Sequence, residues 1–228
     1  MGEDYSIRIA ETGLKIGAIK LRPEDPFTWA SGYRMPIYND NRMFLGDFDH
    51  RFMIREAFVD LIQDQGDNIV FDIVAGTSTA GISPATTLGD FLMLPVIYVR
   101  DKPKDHGLRN QIEGIDAEKD LEGAIVGLVE DLISTGGSSA RAVQAIRDAN
   151  GICNVCISIF DYGLDKGEEA FRKLNPACEK YSLLTYDKLL AVAENMGYLN
   201  RNQTEMLEEW RADPFGWGEK HGFPKINR

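Results

Sequence analysis

Glu130 and Asp131 stand side by side at the end of an apolar run, and a glycine- and hydroxyl-rich turn follows them at once: Ser134, Thr135, Gly136, Gly137, Ser138. Residues 124–129 carry no polar side chain and read as a strand buried on both faces, so the two carboxylates should emerge at its carboxyl end, where open α/β sheets bind their ligands. A sugar diol needs two such acceptors. The turn then offers hydroxyls and unhindered backbone N–H groups, and the helix-like stretch from Ala140 to Ile146 would aim its N-terminus at the same place, which suits a phosphate. An ordinary βα turn with a Ser or Thr cap would use the same glycines and hydroxyls. The acidic pair argues against that simpler case, because carboxylates beside an anion site make sense only if they hold hydroxyls or a metal.

Two rival nucleotide motifs are missing. The chain has neither Gly-x-x-x-x-Gly-Lys-Ser/Thr nor Gly-x-Gly-x-x-Gly in a strand-to-helix context. A second small turn, Ala75-Gly-Thr-Ser-Thr-Ala-Gly81, follows another apolar strand and can present amides to a second anion, although steric need alone would also explain its glycines. Residues 100–114 form a long polar connection in which Arg100, Lys102, Lys104, His106 and Arg109 cluster. A solvated surface loop would look similar. Next to a phosphate cradle, such a loop can close over a polyanion and neutralise it.

The remaining composition narrows the class. A formal net charge of −11 over 228 residues disfavours a nucleic-acid partner, which would need a basic face. No stretch reaches the length of a membrane-spanning helix, and residues 1–20 lack a basic segment followed by an apolar one, so the expected compartment is the cytoplasm with no membrane contact. Cys153, Cys156 and Cys178 are odd in number, which suits a reducing compartment. The Cys153-x-x-Cys156 spacing has no second pair to complete a zinc site, and residues three apart on a strand should face opposite sides, so these read as buried structural thiols.

The elements that must position these groups alternate along the chain. Apolar periodicity predicts helices over residues 7–19, 47–65, 80–92, 166–174, 187–196 and 203–212, and strands over 69–74, 96–99, 124–130, 152–160 and 181–184. Residues 27–32 and 36–38 read as the two strands of a hairpin. The alternation predicts an α/β fold with a central, mostly parallel sheet and helices on both faces, in a single domain. Within it, residues 1–45 form a small N-terminal hood, 46–163 the phosphate-binding core, and 164–228 a helical C-terminal extension. Trp210, Phe215 and Trp217 make the end of the chain a tail that packs on the body or on a partner.

In this order the motifs resemble the type I phosphoribosyltransferases, which bind 5-phosphoribosyl-1-diphosphate (PRPP), and within them the orotate phosphoribosyltransferase family. The resemblance rests on Phe27-Thr-Trp-Ala-Ser-Gly32, Pro36-Ile-Tyr-Asn-Asp-Asn-Arg42, Val74-Ala-Gly-Thr-Ser-Thr-Ala-Gly81, the loop from Arg100 through His106-Gly107, Asn110 and Ile112-Glu-Gly114, and Glu130-Asp-Leu-Ile-Ser-Thr-Gly-Gly-Ser138. It implies transfer of the phosphoribosyl group to orotate, giving orotidine 5′-monophosphate in pyrimidine (UMP) biosynthesis. Glu130 and Asp131 would hold the ribose hydroxyls, and Leu132, Ile133, Ser134, Thr135, Gly136, Gly137 and Ser138 the 5′-phosphate, with Ser134 also touching orotate. Arg100, Lys104 and His106 would reach the diphosphate in the partner's site of a homodimer with shared active sites, leaving Lys104 and Asp131 as the catalytic pair. Mg²⁺ would arrive with PRPP rather than in a cage of protein ligands. Some relatives carry a lysine at Ala30, a second base at Asp101 and an arginine near Tyr162, so here the orotate carboxylate must find other donors, such as the backbone around residues 38–40 or Arg42. A purine-specific phosphoribosyltransferase would lack the 100–114 signature, and a PRPP-sensing regulator would add a basic DNA-binding module.

Overall fold

The computed structural model describes residues 4–29, 31–66, 69–102, 111–116 and 119–226. Its elements begin with helix α1 (Tyr5–Ile16), four short strands β1 (Ile19–Leu21), β2 (Phe27–Thr28), β3 (Arg34–Met35) and β4 (Ile37–Asn39), and helix α2 (Phe48–Asp64). Then come β5 (Ile73–Thr77), α3 (Ile82–Leu92), β6 (Val96–Val99), β7 (Ile112–Glu113), β8 (Ile125–Ile133), α4 (Gly137–Asp148) and β9 (Ile152–Asp161). The chain closes with α5 (Asp165–Arg172), β10 (Glu179–Thr185), α6 (Tyr186–Asn195), α7 (Arg201–Ala212) and α8 (Trp217–Lys220). They gather into two compact units, residues 45–183 and residues 1–44 with 184–228. The larger unit extends through Leu183, and Phe171 of α5 and Cys178 enter the same core as β8 and α4. Among the described residues, no helix is long and apolar enough to cross a membrane.

In the 45–183 unit, six strands run in the order β10-β9-β8-β5-β6-β7, with β9, β8, β5 and β6 parallel and β7 antiparallel to β6. Ala75, Ile97, Val99, Val126 and Leu128 share one buried cluster with Ala142, Val143 and Ile146 of α4. Side chains alternate across a pleat, so Val96, Gly127 and Val129 face the other way. There α3 comes so close that a Cβ on its Gly89 would lie 2.2 Å from the Val96 side chain. The sheet is therefore covered on both faces, as its apolar strands require.

Three boundaries differ from the sequence expectations, each for an identifiable physical reason. Helix α1 stops at Ile16 because Gly17 takes a left-handed conformation (φ 75°), which frees Ile19–Leu21 to become β1. Residues 36–38 do not pair with 27–32. Phe27–Thr28 pairs with Arg34–Met35 across a turn closed by Trp29 N–H to Tyr33 O (2.9 Å), whereas Ile37–Asn39 pairs with β1. Strand β5 starts at Ile73 and runs on through Ala75, Gly76 and Thr77. Those small residues are what a close neighbour demands, since a Cβ on Gly76 would sit 2.7 Å from the Gly81 carbonyl.

All three cysteines are free and buried, as expected, but not on opposite faces. The register passes from Ile125↔Ile152 to Gly127↔Val155, which inserts one extra residue into β9. That bulge turns Cys153 and Cys156 into one cluster with Cys178. In the other unit, Trp210 and Trp217 are almost wholly buried. The Trp210 indole N–H points at Met35 Sδ (3.0 Å), and Tyr186 donates to the Leu207 carbonyl (2.9 Å).

Gly127 offers a direct check on the packing beneath the site-bearing strand. A Cβ there would lie 2.4–2.5 Å from three ring atoms of Phe71. Gly127→Ala should lower unfolding stability by roughly 1–3 kcal/mol, the cost of overpacking a tight core, read as a reduced urea midpoint. An unchanged midpoint would show that Phe71 can swing away freely.

Candidate active site

Strand β8 carries the acidic pair further into the fold than the sequence suggests. It continues through Glu130, Asp131, Leu132 and Ile133, pairing Glu130 with Ser158, Leu132 with Phe160 and Ile133 with Asp161 of β9. Leu132 and Ile133 are thus strand residues, Ile133 fully buried, and the irregular backbone begins at Ser134.

Glu130 is only 5 % exposed. Its Oε1 accepts from the Thr77 hydroxyl (2.6 Å) and from the Asp131 N–H (3.0 Å), and its Oε2 accepts from the Ser139 hydroxyl (2.9 Å). Three segments meet on one carboxylate: the end of β5, β8 itself, and the first turn of α4. Burial is the main cause that lifts its pKa from the ordinary 4.5 to about 7; the charge of Asp131 adds to this, and the two hydroxyl donors oppose it. Asp131 is half-buried and lies next along the strand. Of the two, it is the better placed to meet a ligand.

The turn after β8 has the form an anion site needs. Gly136 adopts a left-handed conformation (φ 69°), and a Cβ on it would crowd Ala170 and Gly167 of α5 at 3.1–3.2 Å. A Cβ on Gly167 would in turn lie 2.8 Å from the Ser134 carbonyl, so the turn is pressed against α5. Helix α4 starts at Gly137, and its N-cap Gly136 supplies no side-chain hydrogen bond. Its first N–H groups thus have no capping side chain from Gly136, and the helix dipole lies behind them.

The second turn lies next door because β5 is the parallel neighbour of β8. A Cβ on Gly81 would lie 2.4 Å from the Thr77 hydroxyl and 2.6 Å from the Val129 carbonyl, so glycine there allows Thr77 to reach Glu130. Ser78 N–H bonds to the Val99 carbonyl (2.8 Å), and the Ser78–Thr79 peptide is cis. Ser78, Thr79, Ile82, Tyr98, Arg100 and Lys102 line a cavity of about 530 Å³ with Asp101. Arg100 faces Glu113 at 3.4 Å. Lys104, His106 and Arg109 lie outside the described residues, as does Ala30.

Tyr162 is 1 % exposed and packs edge-to-face on Phe160 (5.0 Å, 87°), so its ring belongs to the core. Arg42 is gripped by both oxygens of Asp40, at 2.6 and 2.8 Å. Among the described residues, no group of three or more His, Cys, Asp or Glu could hold a metal ion. The sequence reading missed the partners of Glu130. Thr77 and Ser139 both lie in or beside the quoted turns, but Thr77 is 53 residues from Glu130, and only the strand order brings them together.

No family model matches the chain. It is 42 % identical over 214 residues to the orotate phosphoribosyltransferase of Cytophaga hutchinsonii, covering 94 % of this chain and 99 % of the relative. Among solved structures, the orotate phosphoribosyltransferase of Aeropyrum pernix superposes with a TM-score of 0.67 at 27 % identity, over 84 % of this chain and 99 % of that one. The Mycobacterium tuberculosis enzyme of the same name, solved with PRPP, shares the fold, with a TM-score of 0.60 at 22 % identity over 82 % of this chain and 99 % of its own.

The Glu130 titration gives a pH test. With a folded pKa near 7 against 4.5 unfolded, the native state holds an extra proton between those values, so this group's contribution is fully present below about pH 4.5 and is lost as pH rises through about 7. Glu130→Gln keeps the shape and removes the titration. Its urea-unfolding stability relative to wild type should therefore rise between pH 5 and pH 8; a constant difference would mean Glu130 titrates normally.

Proposed function

This chain belongs to the orotate phosphoribosyltransferase family, and from that premise we propose how its own residues transfer the phosphoribosyl group of PRPP to orotate, releasing diphosphate. The observation that carries the reading is the junction at the end of β8: a half-buried Asp131, a hydroxyl-rich turn, and a helix whose N-terminus has no side-chain cap. Ser134, Thr135, Gly136, Gly137 and Ser138 take the 5′-phosphate there, their amides and hydroxyls replacing its water. Asp131 accepts from the ribose hydroxyls. Glu130 fixes the frame, since its oxygens already hold Thr77 and Ser139. Ser134, at the start of the turn, also touches orotate.

The cavity beside Ser78 and Arg100 suits the diphosphate, with Arg100 and Lys102 on its wall. Mg²⁺ would arrive with PRPP at this site, beside the Asp131 carboxylate, and would supply charge neutralisation to the diphosphate. The residues do the rest. Breaking the bond at C1 builds positive character on the ribose and negative charge on diphosphate, and fixed cations lower that barrier most when water is excluded. Lys104 and His106 add cations from a partner subunit, so the working unit is a homodimer. A contiguous apolar patch supports a second copy. Phe48 and Phe52 on α2 and Phe91 and Met93 around the end of α3 are exposed, and Arg55 lies 4.5 and 4.8 Å from the Phe52 and Phe91 rings. Three free thiols fit a cytoplasmic enzyme.

Base selectivity tests the reaction. With PRPP and Mg²⁺, orotate should release diphosphate while adenine, guanine, hypoxanthine and uracil do not. Turnover of a purine with none of orotate would reassign the substrate, and PRPP binding without any turnover would make the chain a sensor.

Subunit mixing tests the shared site. Lys104→Ala and Asp131→Asn dimers should each be nearly inactive, and Lys104→Ala should lower kcat more than it raises KM for orotate. After dissociation and reassociation, a heterodimer holds one doubly damaged site and one intact site. Activity should return; a dead mixture with verified heterodimers would place each site within one chain.

A further inference from the structure

Asp101 is the one acidic residue among the first three of a mainly basic stretch that begins Arg100, Asp101, Lys102. Its carboxylate does not face away from the site. Arg141, on the first full turn of α4, reaches it with Nη2 at 2.7 Å from Oδ1, and the guanidinium lowers the Asp101 pKa. The other end of that guanidinium, Nη1, lies 3.5 Å from where a Gly137 Cβ would be, so it folds back over the helix turn that starts the phosphate cradle.

The backbone on either side is fixed as well. Arg100 N–H bonds to the Gln111 carbonyl (2.8 Å), and the Gln111 side-chain amide returns to the Arg100 carbonyl (2.7 Å) and more weakly to that of Asp101 (3.4 Å). Val99, just before, receives the Ser78 N–H. Thr77, Ser78, Arg100, Asp101, Ser138 and Arg141 close around a gap of only about 20 Å³. Among the described residues, the ion pair thus links the start of the basic stretch to α4 side chain to side chain, beside the turn that follows β8.

We propose that Asp101 and Arg141 form a brace that registers Arg100 and Lys102 against the phosphate-cradle helix, making both positioning residues for PRPP. The inference rests on the PRPP reading above and adds two residues to it. It also explains an acid in a basic run: the negative charge is balanced by Arg141 and serves to hold the neighbouring cations in place. A carboxylate that simply repelled diphosphate would have no such partner. Both side chains are more than half exposed, so the link is worth no more than a modest factor.

A double-mutant cycle decides the matter, with PRPP binding measured calorimetrically in the presence of Mg²⁺ alongside steady-state kinetics. Asp101→Ala and Arg141→Ala should each weaken PRPP binding about two- to fivefold, the range open to an exposed ion pair, while KM for orotate holds. The double variant should be no weaker than the worse single one, because one link is lost in all three, and Asp101→Glu should restore most of the affinity. If Asp101→Ala instead tightens PRPP binding while Arg141→Ala weakens it, Arg141 meets the phosphate directly and the brace is wrong. Additive effects, or no effect, would also overturn it. Failure of the wild-type chain to bind PRPP would remove the PRPP reading itself, an outcome separate from wild-type binding with unaltered variants.

Discussion

A single buried carboxylate holds the site together. Glu130 draws hydrogen bonds from Thr77 at the end of β5 and from Ser139 in α4, so two turns that arrive from different parts of the chain are fixed relative to β8. Burying a carboxylate is costly unless hydrogen bonds compensate it. The raised pKa near 7 is the trace of that cost, and the hydroxyl donors reduce it. Any substitution that moves Thr77 or Ser139 must therefore be felt at both turns at once. This is why glycine is needed at 76 and 81, where the backbones come too close for a Cβ.

Much of this was legible in the sequence, because hydrophobic patterning and glycine-rich turns are local signals. The strand at 96–99 and the helix around 47–65 follow from periodicity alone, and the glycine- and hydroxyl-rich turn after β8 follows from its residue types. The misreadings of β8, of residues 27–38 and of β9 share one cause, dependence on pairing partners elsewhere in the chain. Strand β8 continues past the acidic pair because β9 pairs with it as far as Ile133, which no local pattern announces. The hairpin expected of residues 27–38 splits because β1, from an earlier segment, claims residues 37–39. The extra residue in β9 that brings Cys153 and Cys156 to one side is likewise visible only in the pairing register.

The roles of the acidic pair diverge for the same reason. Adjacent residues on a strand point to opposite faces. Sequence adjacency suggested a pair of equal acceptors for a diol, whereas the fold buries one in a network and leaves the other half-buried at its edge. A motif read only as a string cannot separate a carboxylate that builds a site from one that serves it.

The thiol cluster has a practical consequence. Cys153 and Cys156 lie fully buried, and their pKa values are pushed up, the first chiefly by its contact with Cys178 and the second by burial. Thiolate is the reactive form, so in the closed fold these sulfurs are poor nucleophiles shielded from reagents. Their alkylation rate then becomes a clock for transient opening of the core between α4 and the sheet. Because β8 and α4 border that core, a ligand that clamps the turn between them should slow the same clock, reporting occupancy without any chemistry at the site.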